Sequence, residues 1–375
     1  MGSSSMENRA ETEGALAQVP PRRFKRLYAN YIRAIAAFAV VQMHTVGELL
    51  FSYNPQATWD MRWWTGNIYY SALRWATPFF IMLSGSFMLS PSREESTAAF
   101  LKKRVSRVLI PFSFWAVIYL LYENRGAIYD GRNPGWRAIR DRILFEDVYY
   151  HLWFVPMIVS LYLLTPTFRI WIKHAHRRDI EYFLGLGFCI SALQHFIPNL
   201  FVVKYVGWLG YIGFYVLGYY ICTYPIRWKP LIYSLAVCMP VFTAFGTWWL
   251  TAQAGTYDNK LYVYFSPNVV IMTFALFLYL KDYDWSGFSD RHPRINRLIN
   301  RFADLSFGVY FLHVLILDVL KNGYIFNIHS SYEVILNMGV HPLYGAFIQA
   351  FIVVVISSLL IYFLSKVPVL NKWLM

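Results

Sequence analysis

Apolar residues along this chain gather into ten stretches, separated by short segments that are polar, basic or rich in Gly and Pro. They lie near residues 31–51, 66–89, 108–122, 149–171, 180–194, 202–222, 230–251, 261–280, 303–320 and 342–365, the third and fifth being short. A helix crosses a bilayer with about 20 mostly apolar residues. The pattern therefore predicts an all-α polytopic membrane protein of about ten transmembrane helices. Residues 1–27 are expected to form a disordered cytoplasmic tail. No polar linker divides the remainder, so residues 28–375 are expected to form one transmembrane domain.

Composition agrees with a membrane setting. Of the 375 residues, 57% are hydrophobic and 15% charged, where a soluble domain carries about a quarter charged. Aromatic side chains make up 19%, a surplus that suits membrane interfaces. The net charge of +13 comes from Lys and Arg in clusters between apolar runs, which fits loop topology better than nucleic-acid binding. With the N-terminus inside, cytoplasmic segments hold 23 Lys or Arg against 9 outside, and Arg33 and Arg74 lie within spans. Both termini are thus expected in the cytoplasm of a multi-pass protein of the inner (plasma) membrane. Residues 123–148 form the longest outside loop, and their mixed charges predict a folded, solvated segment. Cys189, Cys222 and Cys238 are odd in number and sit in apolar settings, so helix packing is expected of them rather than disulfides.

The candidate chemistry starts in the first span. Arg33 and His44 are eleven residues apart, which returns them to within about 20° on a helix and separates them by roughly 16 Å along its axis. An ionisable residue at membrane depth needs a partner or a polar cavity. The residues between them supply no partner, so it must come from other helices. The pair reads as a polar shaft, with a basic mouth for an anionic group and a deeper histidine for proton transfer. Either residue also has a plainer reading, snorkelling for Arg33 and helix packing for His44. Lys102, Lys103, Arg104 and Arg107 precede the third span, and Arg104 and Arg107 share a face. They are topology determinants or, with their guanidinium forks, ligands for a phosphate-bearing cytoplasmic donor. Three more stretches stand out: Ser84-Gly85 in the second span, His151-Leu152-Trp153-Phe154 opening the fourth, and Tyr310 with His313 in the ninth. Close helix approach explains the small pair, an aromatic belt explains Trp153, and a core contact explains His313 equally well. His174 and His176 are spaced as metal ligands can be, but no metal is expected there.

These five stretches, in this order, resemble the integral-membrane acyltransferase family 3. The similarity runs from about Tyr28 to the C-terminal end. The family's Arg, ten residues, then His falls on Arg33 and His44, and its Arg-x-x-Arg on Arg104 and Arg107. Its Ser-Gly falls on Ser84 and Gly85, its Leu-Trp-Phe on Leu152 to Phe154, and its Tyr-x-x-His on Tyr310 and His313. One departure concerns the position three before the arginine, acidic in many members and Asn30 here.

The resemblance implies a ten-helix core and an O-acyltransferase that takes acetyl from acetyl-CoA, without metal, and places it on an extracytoplasmic or lipid-linked glycan. Arg33, Arg104 and Arg107, with Lys103, would hold the donor phosphates. His44 would act as general base or as acetyl-carrying nucleophile; Glu48, four residues on along the same helix face, is the candidate to orient its ring. Ser84, His151, Trp153, Tyr310 and His313 would support the reacting groups. Two rivals stay open: a glycan transporter or flippase, and a transferase of another acyl group such as succinyl.

Overall fold

The structure is a computed structural model that describes residues 22–51, 60–90, 95–131, 135–145, 148–197, 209–322, 339–368 and 373. Regular structure among the described residues is helical throughout. In chain order the helices are α1 (Arg22–Phe51), α2 (Met61–Leu73), α3 (Ala76–Met88), α4 (Thr97–Glu123), α5 (Arg125–Tyr129), α6 (Trp136–Phe145) and α7 (Phe154–His174). There follow α8 (Arg177–Phe196), α9 (Leu209–Thr223), α10 (Lys229–Ala254), α11 (Pro267–Asp282), α12 (Trp285–Arg291), α13 (Pro293–Asn322) and α14 (Pro342–Leu364). A 3-10 turn, Lys260–Tyr262, precedes α11.

Among the described residues each of the ten apolar stretches lies mostly on helix, with residues 149–153 forming the turn before α7; residues 202–208 lie outside the described residues. Among the described residues, six segments are long and apolar enough to cross a membrane: α4, α7, α10, Lys260–Asp282, α13 and α14. Most of the expected tail, residues 1–21, lies outside the described residues, and α1 begins at Arg22, before the expected border. The loop 123–148 folds as α5 and α6, and Arg142 pairs with Glu123 across its start. Of the cysteines, Cys222 meets Tyr28 at 3.5 Å, whereas Cys189 and Cys238 are exposed on α8 and α10. The packing expected of all three therefore holds for Cys222 alone. The other two sit on outer helix faces, where a small apolar thiol suits lipid as well as it suits a core.

The second apolar stretch is interrupted at Arg74–Trp75, between α2 and α3. Pro78 explains the break, because it has no N–H to give the Arg74 carbonyl and its ring crowds that group. Trp75 stays anchored by its indole N–H, which donates to the Ala72 carbonyl at 2.6 Å.

The chain folds as two compact units. The first holds residues 1–91 and 169–304, and the second holds residues 92–168 and 305–375. In the first unit α1 packs against α2, α3, α11 and α12. Its side chains are buried almost all round, with Ile32, Ala36, Val46 and Leu50 fully enclosed. Beside it α3 and α9 touch backbone to backbone. A Cβ on Gly85 would lie 1.8 Å from the Tyr215 carbonyl oxygen, and one on Gly218 would lie 2.0 Å from that of Met82. Small residues allow such a crossing, which is the packing reading of Ser84-Gly85. Gly187, by contrast, has nothing within 4 Å of a built Cβ. Gly85→Ala is expected to cost at least about 1–3 kcal/mol, the usual penalty of overpacking, and Gly187→Ala almost nothing. Thermal unfolding of both variants in detergent checks this, and equal melting temperatures would contradict the crossing.

Candidate functional site

In the first unit, Arg33, Ala37, Val40 and His44 follow one another at steps of four, three and four residues, so they form one stripe along α1. Arg33 and His44 are half-buried, and the two residues between them are small and apolar. Arg33 donates through Nη1 to the Asn30 side-chain oxygen at 3.5 Å. Asn30 in turn donates to Asn300 Oδ1 at 2.6 Å, and Asn300 donates to Asn296 Oδ1 at 2.6 Å. Tyr31 donates to the same Asn296 oxygen at 3.0 Å and stacks on Trp285 with ring centroids 4.3 Å apart. These amides tie the start of α1 to the start of α13. The contact that Arg33 makes with Asn30 is to a neutral oxygen, where an acid would form an ion pair.

Ser84 is half-buried one position before the α3–α9 crossing. Glu48 continues the α1 backbone, but its side chain lies outside the described residues.

The second unit gathers another set. His151 sits in the turn before α7 and is buried, and Tyr310 on α13 donates its hydroxyl to the His151 carbonyl at 2.7 Å. His313 is fully buried, with Nδ1 2.7 Å from the Tyr310 carbonyl and 3.1 Å from that of Val309. Carbonyls only accept, so Nδ1 carries the proton and Nε2 is the basic nitrogen of the neutral ring. The His151 and His313 rings lie 5.4 Å apart. Trp153 is half-buried beside them in sequence, edge-on to Phe154 at 6.3 Å. The expected support residues His151, Tyr310 and His313 are thus brought together.

The basic cluster at the start of α4 divides by burial. Lys103 and Arg107 are exposed, while Arg104 is half-buried with its Nε enclosed and without a hydrogen-bond partner among the described residues. Of the paired arginines, Arg104 is therefore the one turned into the protein. Near the chain's other histidines, His174 Nδ1 lies 2.9 Å from the Ile170 carbonyl, and the His176 backbone N–H donates to Asp179 at 2.7 Å. His176 is the N-cap of α8, and capping of that helix accounts for its place.

Two residues were not singled out from the sequence. Tyr119 donates its hydroxyl to the Phe311 carbonyl at 2.7 Å and accepts from the Leu315 N–H at 3.2 Å. Those backbone groups are four residues apart and flank His313 on α13. Tyr119 thus bonds α13 backbone directly around His313 and packs edge-on against His151 at 5.1 Å. No local pattern distinguishes it from the other tyrosines of the spans. The other residue is Arg74, noted only as a charge within a span.

Residues 26–365 match the family model for the acyltransferase 3 type, described as an acyltransferase domain. An amino-acid racemase of Enterococcus faecalis is 28% identical over 240 residues, covering 56% of this chain and 30% of that protein. The match thus spans less than a third of the length of that curated relative. No solved structure matches.

Tyr119→Phe removes a hydroxyl that satisfies two buried backbone groups. It is expected to lower stability by about 1–3 kcal/mol, whereas Tyr182→Phe, on an exposed face of α8, should do less. Chemical denaturation in mild detergent measures the difference, and an unaltered Tyr119→Phe would show that the hydroxyl adds nothing to the α13 contact.

Proposed function

From the premise that the chain belongs to the acyltransferase 3 family, we propose that it is an O-acetyltransferase of the inner (plasma) membrane. On this reading residues 28–375 act as one transmembrane domain with ten crossings and both termini in the cytoplasm. It moves acetyl from cytoplasmic acetyl-CoA to a hydroxyl of an extracytoplasmic or lipid-linked glycan. Acyl transfer as such follows from the family, and acetyl, CoA and glycan are the proposal.

The observation that supports it best is the α1 stripe. Arg33 suits a donor phosphate because its guanidinium presents a rigid fork of N–H groups that matches phosphate oxygens, and Asn30 helps to orient it. From it the stripe passes two small side chains and reaches His44 after roughly 16 Å, a span that an extended pantetheine arm covers. Arg104 and Arg107 share the phosphate chemistry of Arg33, Arg104 the more so for its burial.

His44 takes the proton of the acceptor hydroxyl as the oxygen attacks the thioester carbonyl. The C–S bond breaks, and the imidazolium returns the proton to the departing thiolate. In the nucleophilic variant the imidazole takes the acetyl group first and the hydroxyl removes it. Both routes build an oxyanion, for which Ser84, Trp153 and Tyr310 are the donor candidates. His313 on its tyrosine carbonyl holds that part of α13 in register, and His151 and Glu48 are supporting candidates.

The test is incubation of the purified full chain in nanodiscs with acetyl-labelled acetyl-CoA and a panel of acceptors. The panel includes free amino acids, because the Enterococcus relative is named for an activity on them. Label in a glycan supports the reading. Glycan movement across liposomes without CoA would replace it with a transporter, and preference for succinyl-CoA would change the acyl group. His44→Ala is expected to lose transfer by at least about 100-fold at an unchanged melting temperature, and normal turnover would remove its role. Arg33→Ala is expected to raise the KM for acetyl-CoA about 10-fold or more, the worth of a charged hydrogen bond, with little change in acceptor KM.

A further inference from the structure

Arg74 lies where α2 gives way to α3, in the interior of the first unit and half-buried. Its Nε donates to the Tyr262 carbonyl at 2.6 Å. The guanidinium carbon stands 4.2 Å from the Tyr264 ring centroid and 5.5 Å from that of Tyr70. The surroundings are built to stay in place. Asn268 donates to the Leu261 carbonyl at 2.8 Å and to Thr243 at 2.7 Å, and Tyr262 hydrogen-bonds through its hydroxyl to Asn67, which holds the Ala244 carbonyl at 2.9 Å. Tyr264 is fixed by its hydroxyl on Thr77 at 3.0 Å.

A guanidinium has five N–H donors. One is spent on the Tyr262 carbonyl, and among the described residues no carboxylate pairs with the rest. Helix locking alone needs only the one N–H. The remaining fork is rigid, cationic and flanked by two tyrosine faces, which is the chemistry that holds an anionic group on a ring-shaped molecule.

Its place separates it from Arg33. The Tyr262 and Tyr264 end of the site precedes α11, and Trp285, stacked on Tyr31, follows the other end of that helix. The 16 residues of α11 span about 24 Å. Arg74 is instead near the depth of His44. A Cβ on Gly66 would meet Leu50 at 3.0 Å and Leu49 at 3.1 Å, and α3 continues along α1, so the α2–α3 chain runs back beside it. Arg74 is eight residues beyond Gly66, and eight residues before Leu50 is Gln42, one turn or less from His44.

We propose that Arg74, with Tyr70 and Tyr264, binds the acceptor through a carboxylate or phosphate carried on its sugar. This deepens the acetyltransferase reading and rests on it for the word acceptor. The site itself stands on its own geometry.

The first experiment uses the wild-type full chain in nanodiscs. Arginines are labelled with phenylglyoxal, resolved by peptide mass spectrometry, with and without a glucuronic acid oligosaccharide, a glucose 1-phosphate probe, the matching neutral glucose oligosaccharide, or inorganic phosphate. At least one anionic sugar is expected to slow labelling of Arg74 several-fold while leaving Arg33 unchanged, with the neutral sugar inert. Equal labelling under all probes would overturn the proposal. So would protection by inorganic phosphate as strong as by the sugar phosphate without protection by the uronate, since the site would then read an anion or a lipid headgroup and no sugar. Direct binding of the protecting probe to Arg74→Gln and Arg74→Lys follows, with melting temperatures recorded. Arg74→Gln is expected to bind about 10-fold more weakly or worse, and Arg74→Lys to lie between because it keeps charge without the fork. Unaltered binding in a folded Arg74→Gln also overturns the site. Protection of Arg74 in a protein that transfers no acetyl group would sink the acetyltransferase reading and leave the site.

Discussion

The hydrogen bond between Asn30 and Asn300 is the joint on which the first unit depends. It lets a helix that is buried on nearly every side carry an arginine. Burying a charge without polar neighbours is prohibitively costly, and only side chains from elsewhere can supply them inside an apolar bundle. Asn30 meets Arg33 with its oxygen and Asn300 with its nitrogen. Asn296 and Tyr31 complete the relay and lock α1 to the first turns of α13. An aspartate in place of Asn30 would hold Arg33 more strongly, but it would lose the amide donor to Asn300. The asparagine serves both neighbours at once, with its oxygen on Arg33 and its nitrogen on Asn300.

The other chemically interesting positions share a different feature, which is a side chain bonded directly to backbone groups of a helix or turn. Membrane helices keep their backbone groups satisfied internally, and irregular backbone persists where protein groups take up what is freed. Pro78 frees the Arg74 carbonyl and splits α2 from α3, and Arg74 reaches across to the Tyr262 carbonyl from that split. Tyr119 bonds the Phe311 carbonyl and the Leu315 N–H of α13, on either side of His313. His313 in turn rests its Nδ1 on the carbonyls of Val309 and Tyr310. A side chain anchored to backbone in this way has its direction set by the helix, which is how a bundle without loops at depth can aim a functional group.

The helices were legible because lipid imposes a simple rule on sequence: long apolar runs, interrupted by cations. The stripe from Arg33 to His44 was legible because helical periodicity alone places both on one face. The close approach at Gly85 was readable from the small residues, although its partner Gly218 on α9 was not. What sequence hides is whatever depends on partners far along the chain. Asn296 and Asn300 look like ordinary polar residues until they appear beside Asn30, some 270 positions away. Tyr119 is one of 29 tyrosines, and nothing local marks it as the one that bonds α13 backbone. The division into two interleaved units was hidden as well, since each is assembled from two separate chain segments without a linker composition to announce it.

Family membership fixes acyl transfer and leaves the acceptor to the site. The racemase relative does not narrow it, because the aligned region is 30% of that protein. Electrostatics narrows it further. On the proposed reading, coenzyme phosphates and an anionic sugar must both approach one histidine, and like charges repel strongly where water is scarce. A single basic site would draw both anions to the same spot. Two cations separated along α1 by the Arg33–His44 rise of about 16 Å do the opposite. Each anion is anchored at its own end, and only the uncharged thioester and hydroxyl are left to meet near His44. The cost of burying two arginines in one unit then has a common explanation in the separation of two charged substrates.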